Sequence, residues 1–384
     1  MAKVSKGEEV KETKKIERKT IPSSVLKVME KIKEEFGDDV VCVGSDSKNL
    51  DIKTISTGSL GLDCVIGAGG LPQGRVIEIF GPESSGKTLI SLSTIANCQR
   101  NGGQAVFIDM EQSLTKDWCR SLGVDFDRLI ISQPNSGEEA LKIVQRFIET
   151  NEVDIIVIDS VAALVPKQII DGEIGDVTVA VQARMLSQAL SKINPIISKT
   201  KVCAVFINQL RSNIGGYGNP ETTPGGKALK FYASLRLRVS KESQSEIKDS
   251  KGNQIGHRMK VAVVKNKIGS PGGQASFELL YTKGIQQKSE ISELSVIKGI
   301  VQNPKGRTYT FRNYTWTSRK EFDEAVKKDI VLADALMEEV KKAVAENAPD
   351  VVETTIEEVD GMIVDKATGE ILEESAADQE KPVE

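Results

Sequence analysis

The sequence has no apolar run approaching the roughly 18 residues that a membrane-spanning helix requires, and its N-terminus is charged, without the apolar centre of a secretory signal. A soluble, cytoplasmic chain with no membrane partner is the expectation. It also lacks any C-x-x-C pair. Its five cysteines, Cys42, Cys64, Cys98, Cys119 and Cys203, are scattered in a way that matches neither a zinc site nor a disulfide framework. Reduced, mostly buried thiols are expected. Nor is there a large excess of one charge, since the formal net charge is −4. That sum hides an asymmetry: residues 346–384 carry 13 acidic and 2 basic side chains, residues 1–20 sum to +3, and the body between them sums to +4. The overall sign therefore does not argue against a nucleic-acid partner.

With 384 residues and 39% apolar content, the chain can bury one large core and still have length for flanking pieces. Residues 1–22 read as a mobile charged leader, too poor in large apolar side chains to offset the entropy of ordering. Within 23–52, Val25, Leu26, Val28, Met29, Ile32 and Phe36 recur at helical spacing, with Ser23 or Ser24 as N-cap, so one apolar stripe needs a partner surface. From Arg75 to about Leu280, apolar strands alternate with amphipathic helices: Val76–Phe80, Ala105–Asp109, Ile155–Asp159 and Val202–Asn208. This predicts an α/β domain with a mainly parallel sheet over residues 53–285. Later strands near Leu235–Val239, Lys260–Lys265 and Ser276–Leu279 are separated by turns and predict an antiparallel edge. Residues 286–345 read as a small C-terminal α/β module containing Tyr309, Phe311, Tyr314 and Trp316, and 346–384 as a disordered acidic tail.

The segment Gly81-Pro82-Glu83-Ser84-Ser85-Gly86-Lys87-Thr88 satisfies G-x-x-x-x-G-K-[ST], follows a predicted strand and opens a helix, which is the context that a phosphate loop requires. Glycines let backbone amides face phosphates, and the helix start adds positive potential. Lys87 is expected to reach the β- and γ-phosphates of ATP and the Thr88 hydroxyl to ligate Mg²⁺. Asp159, at the carboxyl end of an apolar strand, reads as the acid that supports the same Mg²⁺. Glu111 lies two residues beyond another strand end. From spacing alone it is either a water-orienting base or a solvated loop acid.

Several strings closely resemble the bacterial RecA family: Thr54-Ile55-Ser56-Thr57-Gly58-Ser59-Leu60, Gly67-Ala68-Gly69-Gly70-Leu71-Pro72, the phosphate loop, Asp159-Ser160-Val161-Ala162-Ala163-Leu164, and the run from Asn219 to Ala233. The resemblance extends from about Ser24 to Leu280. It implies a P-loop ATPase core of the RecA type, an N-terminal helical polymerisation arm, and ATP-driven pairing of single-stranded DNA with homologous duplex in head-to-tail filaments. It also implies site roles. Glu111 becomes the catalytic base, Gln209 the sensor of the γ-phosphate, and Trp118 an aromatic stacked on adenine. Lys265 and Lys267 match lysines inserted into the neighbouring subunit's ATP site, and their i, i+2 spacing on a strand points both to one face.

Two loops are expected to carry DNA. The first, around Gly172 to Val179, leads into a helix bearing Arg184. The second runs from Leu210 to Pro224 and contains Arg211, Ile214 and Tyr217, after which Gly225 and Gly226 open a helix whose amides could hold backbone phosphates. The chain departs from the family pattern in two places. The second loop is one residue shorter near Gly215-Gly216-Tyr217, and Ser191 stands where the family often has a basic residue, with Lys192 beside it. These departures, the loosely matching C-terminal module and the basic leader point to a divergent or phage-encoded member. Loader proteins and a self-cleaving repressor are further partners that the resemblance implies. Two other classes use the same Lys87, Asp159 and Glu111: a closed-ring hexameric motor and a passive single-strand coat. Open head-to-tail polymerisation and nucleotide turnover separate the recombinase from each.

Overall fold

A computed structural model describes residues 21–38, 40–44, 52–173, 180–212, 221–303, 308–346, 356–359, 362–365 and 371–374. The chain divides into two compact units, Met1–Ile52 and Lys53–Glu384. In the first, α1 (Ser23–Phe36) has the predicted bounds, but Pro22 occupies the N-cap position and no side chain caps it. None of its residues is buried among the described residues, and Val25, Leu26, Val28 and Phe36 of the apolar stripe are exposed.

The second unit begins with β1 (Thr54–Ile55), α2 (Leu60–Ile66) and β2 (Leu71–Pro72). The alternating core follows: β3 (Arg75–Gly81), α3 (Lys87–Arg100), β4 (Ala105–Asp109), α4 (Lys116–Ser121), β5 (Ile130–Ser132), α5 (Gly137–Glu149), β6 (Ile155–Asp159), α6 (Lys167–Ile170), α7 (Val181–Thr200) and β7 (Cys203–Gln209). Next come β8 (Arg211–Ser212), β9 (Glu221–Thr222), α8 (Ala228–Tyr232), β10 (Leu235–Lys248), β11 (Gln254–Asn266), β12 (Gln274–Leu280) and β13 (Gly284–Ile285). The nine-stranded central sheet has the order β13-β12-β11-β10-β3-β7-β6-β4-β5. The six strands from β10 to β5 run parallel, and β11 to β13 extend the sheet antiparallel, as the turn-separated strands predicted.

Strand alternation sorts the apolar side chains to two faces. Ile77 and Ile79 of β3, Phe107 of β4 and Val205 of β7 pack with α2 and α3, whereas Val76, Ile108, Ile158 and Phe206 pack with α5 and α7. Both faces are covered, which is why these strands read as near-continuous apolar runs. Cys98, Cys119 and Cys203 are buried in this double core, while Cys64 is half-buried and Cys42 exposed; all five are free thiols. Burial pushes the Cys98 thiol up to about 12, an inert group at neutral pH.

The C-terminal module comprises α9 (Gln287–Ile297), the hairpin β14 (Tyr309–Phe311) and β15 (Tyr314–Trp316), α10 (Arg319–Lys328) and α11 (Ile330–Glu346). Trp316 packs on Phe322 at 4.8 Å between ring centroids. Two carboxylates of α9 tie the module to the core: Glu290 accepts from the Ser59 hydroxyl (2.6 Å) and from the Leu60 and Gly61 amides (both 2.9 Å) at the start of α2, and Glu293 accepts from Arg258 of β11 (2.5 Å).

In the acidic tail the described residues are those of three short strands. They form an antiparallel ladder of β16 (Ile356–Val359), β17 (Met362–Asp365) and β18 (Ile371–Glu374), with Val359 paired to Met362. Among the described residues no helix is long and apolar enough to cross a membrane.

Candidate functional site

Four parallel strands end on one side of the sheet, and their carboxyl termini bring together residues far apart in sequence. β3 leads into the Gly81–Thr88 loop, β6 ends at Asp159, β7 ends at Gln209, and Glu111 follows β4. This edge is where an open α/β sheet forms a crevice. A cleft of about 340 Å³ is lined there by Glu83, Ser84, Lys87, Thr88, Glu111, Trp118, Asp159, Ser160 and Gln209, among others. A larger surface hollow between α5 and α6, lined by Glu138, Lys142, Arg146 and Lys167, contains none of these groups.

The loop has the backbone shape of an anion cradle. Ser84 (φ 53°) and Gly86 (φ 95°) are left-handed, which turns successive amides the same way immediately before α3 begins at Lys87. Gly86 also has no room for a side chain, because a Cβ there would collide with the methyl of Met259 on β11. The Lys87 ammonium reaches back to the Pro82 carbonyl at 2.6 Å, and its burial depresses its pKa against the opposing pull of Asp159, Glu111 and Glu83. A desolvated cation at a helix start is suited to phosphate.

The acidic groups are arranged in two pairs. The Thr88 hydroxyl donates to Asp159 Oδ2 at 2.6 Å. Burial is the main force that pushes Asp159 up to about 6, with Glu111 and Asp109 adding to it and Thr88 and Lys87 opposing. Opposite, Glu111 Oε1 accepts from the Ser160 hydroxyl and from Gln209 Nε2, the latter at 3.2 Å. The Asp159–Ser160 peptide is cis. Asp109 ends its strand just as Asp159 does, yet it is turned away: it is fully buried and accepts from the Ser113 and Leu114 amides and the Gln133 amide group. Side-chain direction therefore distinguishes two acids that the strand pattern could not separate.

Trp118 is half-buried at the cleft, and its Nε1 donates to the Tyr281 carbonyl at 3.3 Å. Tyr281 thus anchors Trp118 through its backbone, a contact that the sequence does not mark. No motif marks it, because β12 and the turn after it reach Trp118 only through the fold.

The remaining expected residues lie elsewhere. Lys265 Nζ donates to the Lys230 and Phe231 carbonyls (2.7 and 3.1 Å), and Lys267 Nζ to the same Phe231 carbonyl (3.5 Å), so both lysines do share one face. Lys265 pairs with Arg236, which pairs with Glu78 partway along β3, and Lys267 lies further toward the amino ends of the parallel strands. The Lys267 amide donates to Ser234 O, whose own amide donates to Val76 O near the start of β3. Five residues of strand separate Val76 from Gly81, about 17 Å of rise. Arg184 is exposed in the first turn of α7, and Arg211 is exposed in β8, paired to Thr222 of β9. Ile214 and Tyr217 lie outside the described residues, as does most of the first loop after Glu173.

Gly225 and Gly226 differ from expectation. They do not open the helix, since α8 starts at Ala228. Both are left-handed (φ 84° and 74°) and lie against α7, where a Cβ would come within 2.8 Å of Leu186 or Ala183. Close approach to α7 explains these glycines. The helix after them is only five residues long.

Comparison with known proteins adds an independent line. Residues 23–286 match the model of the RecA N-terminal domain. The protein RecA of Lactobacillus acidophilus is 47% identical over 300 residues, covering 78% of this chain and 81% of the relative. That of Cytophaga hutchinsonii is 50% identical over 284 residues (74% and 79%), and that of Chlorobaculum tepidum 46% over 316 residues (82% and 90%). With the match running through every strand of the central sheet, the chain belongs to the RecA family.

Proposed function

We propose that the cleft at the carboxyl ends of β3, β4, β6 and β7 binds and hydrolyses ATP, and that the bound nucleotide sets the state of the DNA-contacting segments. Family membership makes the chain a recombinase of homologous recombination and repair, a DNA-dependent ATPase coupled to strand exchange. One observation carries the assignment of the site. Glu111 Oε1 is held jointly by Ser160 and Gln209, facing the loop that bears Lys87 and Thr88. A carboxylate held on the far side of a phosphate cradle is where a base must sit to orient a water for in-line attack. Lys87 neutralises the transferred phosphoryl charge. Gln209, bonded to the base and carried on the strand that leads into β8, changes partners when a γ-phosphate arrives and so transmits occupancy toward Arg211.

Mg²⁺ fits the pair of Thr88 and Asp159. Both offer hard oxygen ligands 2.6 Å apart, and Asp159 carries a buried charge without a full counter-ion. Among the described residues no group of three or more acidic, histidine or cysteine side chains could hold a metal. One hydroxyl, one carboxylate and the nucleotide's own phosphates are the kind of sparse set that Mg²⁺ accepts. When bound, it would supply charge neutralisation between phosphate oxygens.

Trp118, held by the Tyr281 carbonyl, forms the adenine side. Lys265 and Lys267 bond the carbonyls of Lys230 and Phe231 and not their own phosphate loop, and serve the neighbouring subunit's site. That arrangement needs a head-to-tail polymer, for which the exposed apolar stripe of α1 is the docking element. Arg184 and Arg211 contact DNA phosphates, with Ile214 and Tyr217 as sequence-independent base contacts. The chain acts in the cytoplasm, and loaders or a repressor would engage the assembled filament.

Strand exchange between circular single-stranded DNA and homologous linear duplex, with ATP and Mg²⁺, tests this reading. Joint molecules and nicked circles are expected. ATP turnover with no exchange would favour a motor, and single-strand binding with neither would favour a passive coat.

A further inference from the structure

His257 is the only histidine in the chain. It lies in β11, 3% exposed, and neither ring nitrogen has a hydrogen-bond partner among the described residues. A buried polar group in that condition calls for an explanation. The hairpin of β10 and β11 runs beyond the carboxyl end of β3, because β3 pairs with β10 only as far as Phe80 opposite Arg238 and β10 continues to Lys248. The extension passes behind the phosphate loop. His257 and Met259 point to the same face of β11; Met259 abuts Gly86, and the ring of His257 lies within electrostatic reach of the Ser85 backbone without making a hydrogen bond of full geometry.

Ser85 is the complementary orphan. Its hydroxyl is buried, 1% exposed, and also unpartnered. On its other side His257 faces Tyr281, with ring centroids 5.7 Å apart, and the Tyr281 carbonyl accepts from Trp118. One imidazole thus lies between the phosphate loop and the aromatic side of the cleft. A neutral imidazole has one donor and one acceptor nitrogen, and its acceptor suits a serine hydroxyl.

We infer that His257 is a positioning residue of the nucleotide site, a neutral imidazole that accepts the Ser85 hydroxyl when nucleotide is bound and fixes the loop against β11. It touches neither phosphate nor base, and acts through Ser85 and Tyr281. The inference rests on the reading of the cleft as the nucleotide site.

Protonation would abolish the acceptor. Burial and, after it, the Lys241 ammonium of β10 hold the ring's pKa below its ordinary value, so the ring is neutral at neutral pH. Glu246 is its cross-strand neighbour on β10, and Tyr281 follows β12. Arg258 and Glu278, paired across β11 and β12, occupy the opposite pleat, and Glu83 and Lys87 line the cleft. Because the folded-state pKa is depressed, the contact is complete above about pH 6.5 and is lost as pH falls through the folded value.

The test is the affinity of the full, untagged chain for Mg·ADP from pH 5.5 to 8, for wild type, His257→Gln and His257→Phe. At pH 7.5 the phenylalanine variant, which fills the space without hydrogen bonding, should bind about tenfold more weakly. Glutamine keeps an acceptor and should stay within about threefold. Wild type should lose more affinity than His257→Gln as pH falls, since any titration of Asp159 is common to all three proteins. Wild-type affinity in His257→Phe, absence of rescue by glutamine, or parallel pH profiles for wild type and His257→Gln would each overturn the inference. Should His257→Phe fail to fold, Ser85→Ala, expected to weaken binding to the same degree, takes its place. Lys87→Ala separates the two levels: if it abolishes ADP binding while the His257 variants are silent, only the role of His257 fails. If ADP binding survives Lys87→Ala, the site assignment itself fails.

Discussion

Gln209 and Glu111 meet at 3.2 Å although their strands are not neighbours, because β6 lies between β7 and β4 and contributes Ser160 to the same carboxylate oxygen. Glu111 and Gln209, proposed as base and sensor, are thus held from three strand ends, so displacement of one is felt by the other. Glu111→Gln should lower the rate of ATP hydrolysis on the order of 10²- to 10³-fold while leaving nucleotide affinity nearly intact. Gln209→Ala should leave affinity nearly intact as well, but remove most of the increase in hydrolysis that single-stranded DNA produces. Steady-state hydrolysis with and without DNA, alongside equilibrium nucleotide binding, checks both. Undiminished DNA stimulation in Gln209→Ala would remove the sensor role.

Lys87 is 7% exposed and its ammonium is desolvated, so the folded chain holds a charge that only ligand repays in full. Lys87→Ala should abolish hydrolysis without lowering the thermal midpoint of the nucleotide-free protein. Added Mg·ATP should then raise the midpoint of wild type but not of the variant. Thermal scans with and without nucleotide decide this, and normal turnover in the variant would sink the phosphate-loop assignment.

The separation of Lys265 and Lys267 from their own phosphate loop leads to a mixing experiment. On the proposed reading, Glu111→Gln lacks the base in its own site, and Lys265→Ala fails to complete its neighbour's. In a filament assembled randomly from equal amounts, about a quarter of the head-to-tail interfaces join an intact Glu111 to an intact Lys265. DNA-dependent hydrolysis in the mixture should therefore rise clearly above the mean of the two variants measured apart. Confirmed co-assembly with activity at that mean would show that Lys265 does not act on its neighbour.

Glu290 makes the stability of the molecule depend on pH. Burial pushes its carboxyl up to about 7, against the pull of the Ser59 hydroxyl and the Gly61 and Leu60 amides. The folded state holds the proton more tightly than the unfolded state, so its contribution is fully present below about pH 4.5 and is lost as pH rises through 7. The full effect of the shift is on the order of 3 kcal/mol. Asp63, pushed up to about 6 by burial, acts in the same direction. Glu290→Gln should flatten the fall in thermal midpoint between pH 5 and 8 without erasing it, because Asp63 remains. Superimposable pH profiles for wild type and variant would show that Glu290 is ionised throughout.

The central strands were legible because burial on both faces demands unbroken apolar runs, and Ala105–Asp109 and Ile155–Asp159 have the predicted bounds. The phosphate loop was legible because amides, a helix start and a lysine must follow one another in chain order to hold phosphate. Less local features were not. β10 and β11 extend far beyond the predicted Leu235–Val239 and Lys260–Lys265 segments, since their outer halves pair across a polar hairpin that lacks apolar alternation. The Gly225 and Gly226 pair reads as a helix start until α7 is seen to pack against it.

By itself the sequence determined the strand-loop-helix that holds phosphate, the alternation that makes a parallel sheet, and the residue types able to serve it, because each depends on neighbours within a few positions. Only the tertiary structure decided which acid faces the cleft. Asp109 and Asp159 end adjacent strands in register, yet one is turned into loop amides and the other toward Thr88. The same holds for the Tyr281 carbonyl on Trp118, for His257 behind Ser85, and for Lys265 and Lys267 against the carbonyls of α8. Those relations depend on strand order and on the direction of the antiparallel extension, which are set by long-range pairing that no local pattern encodes.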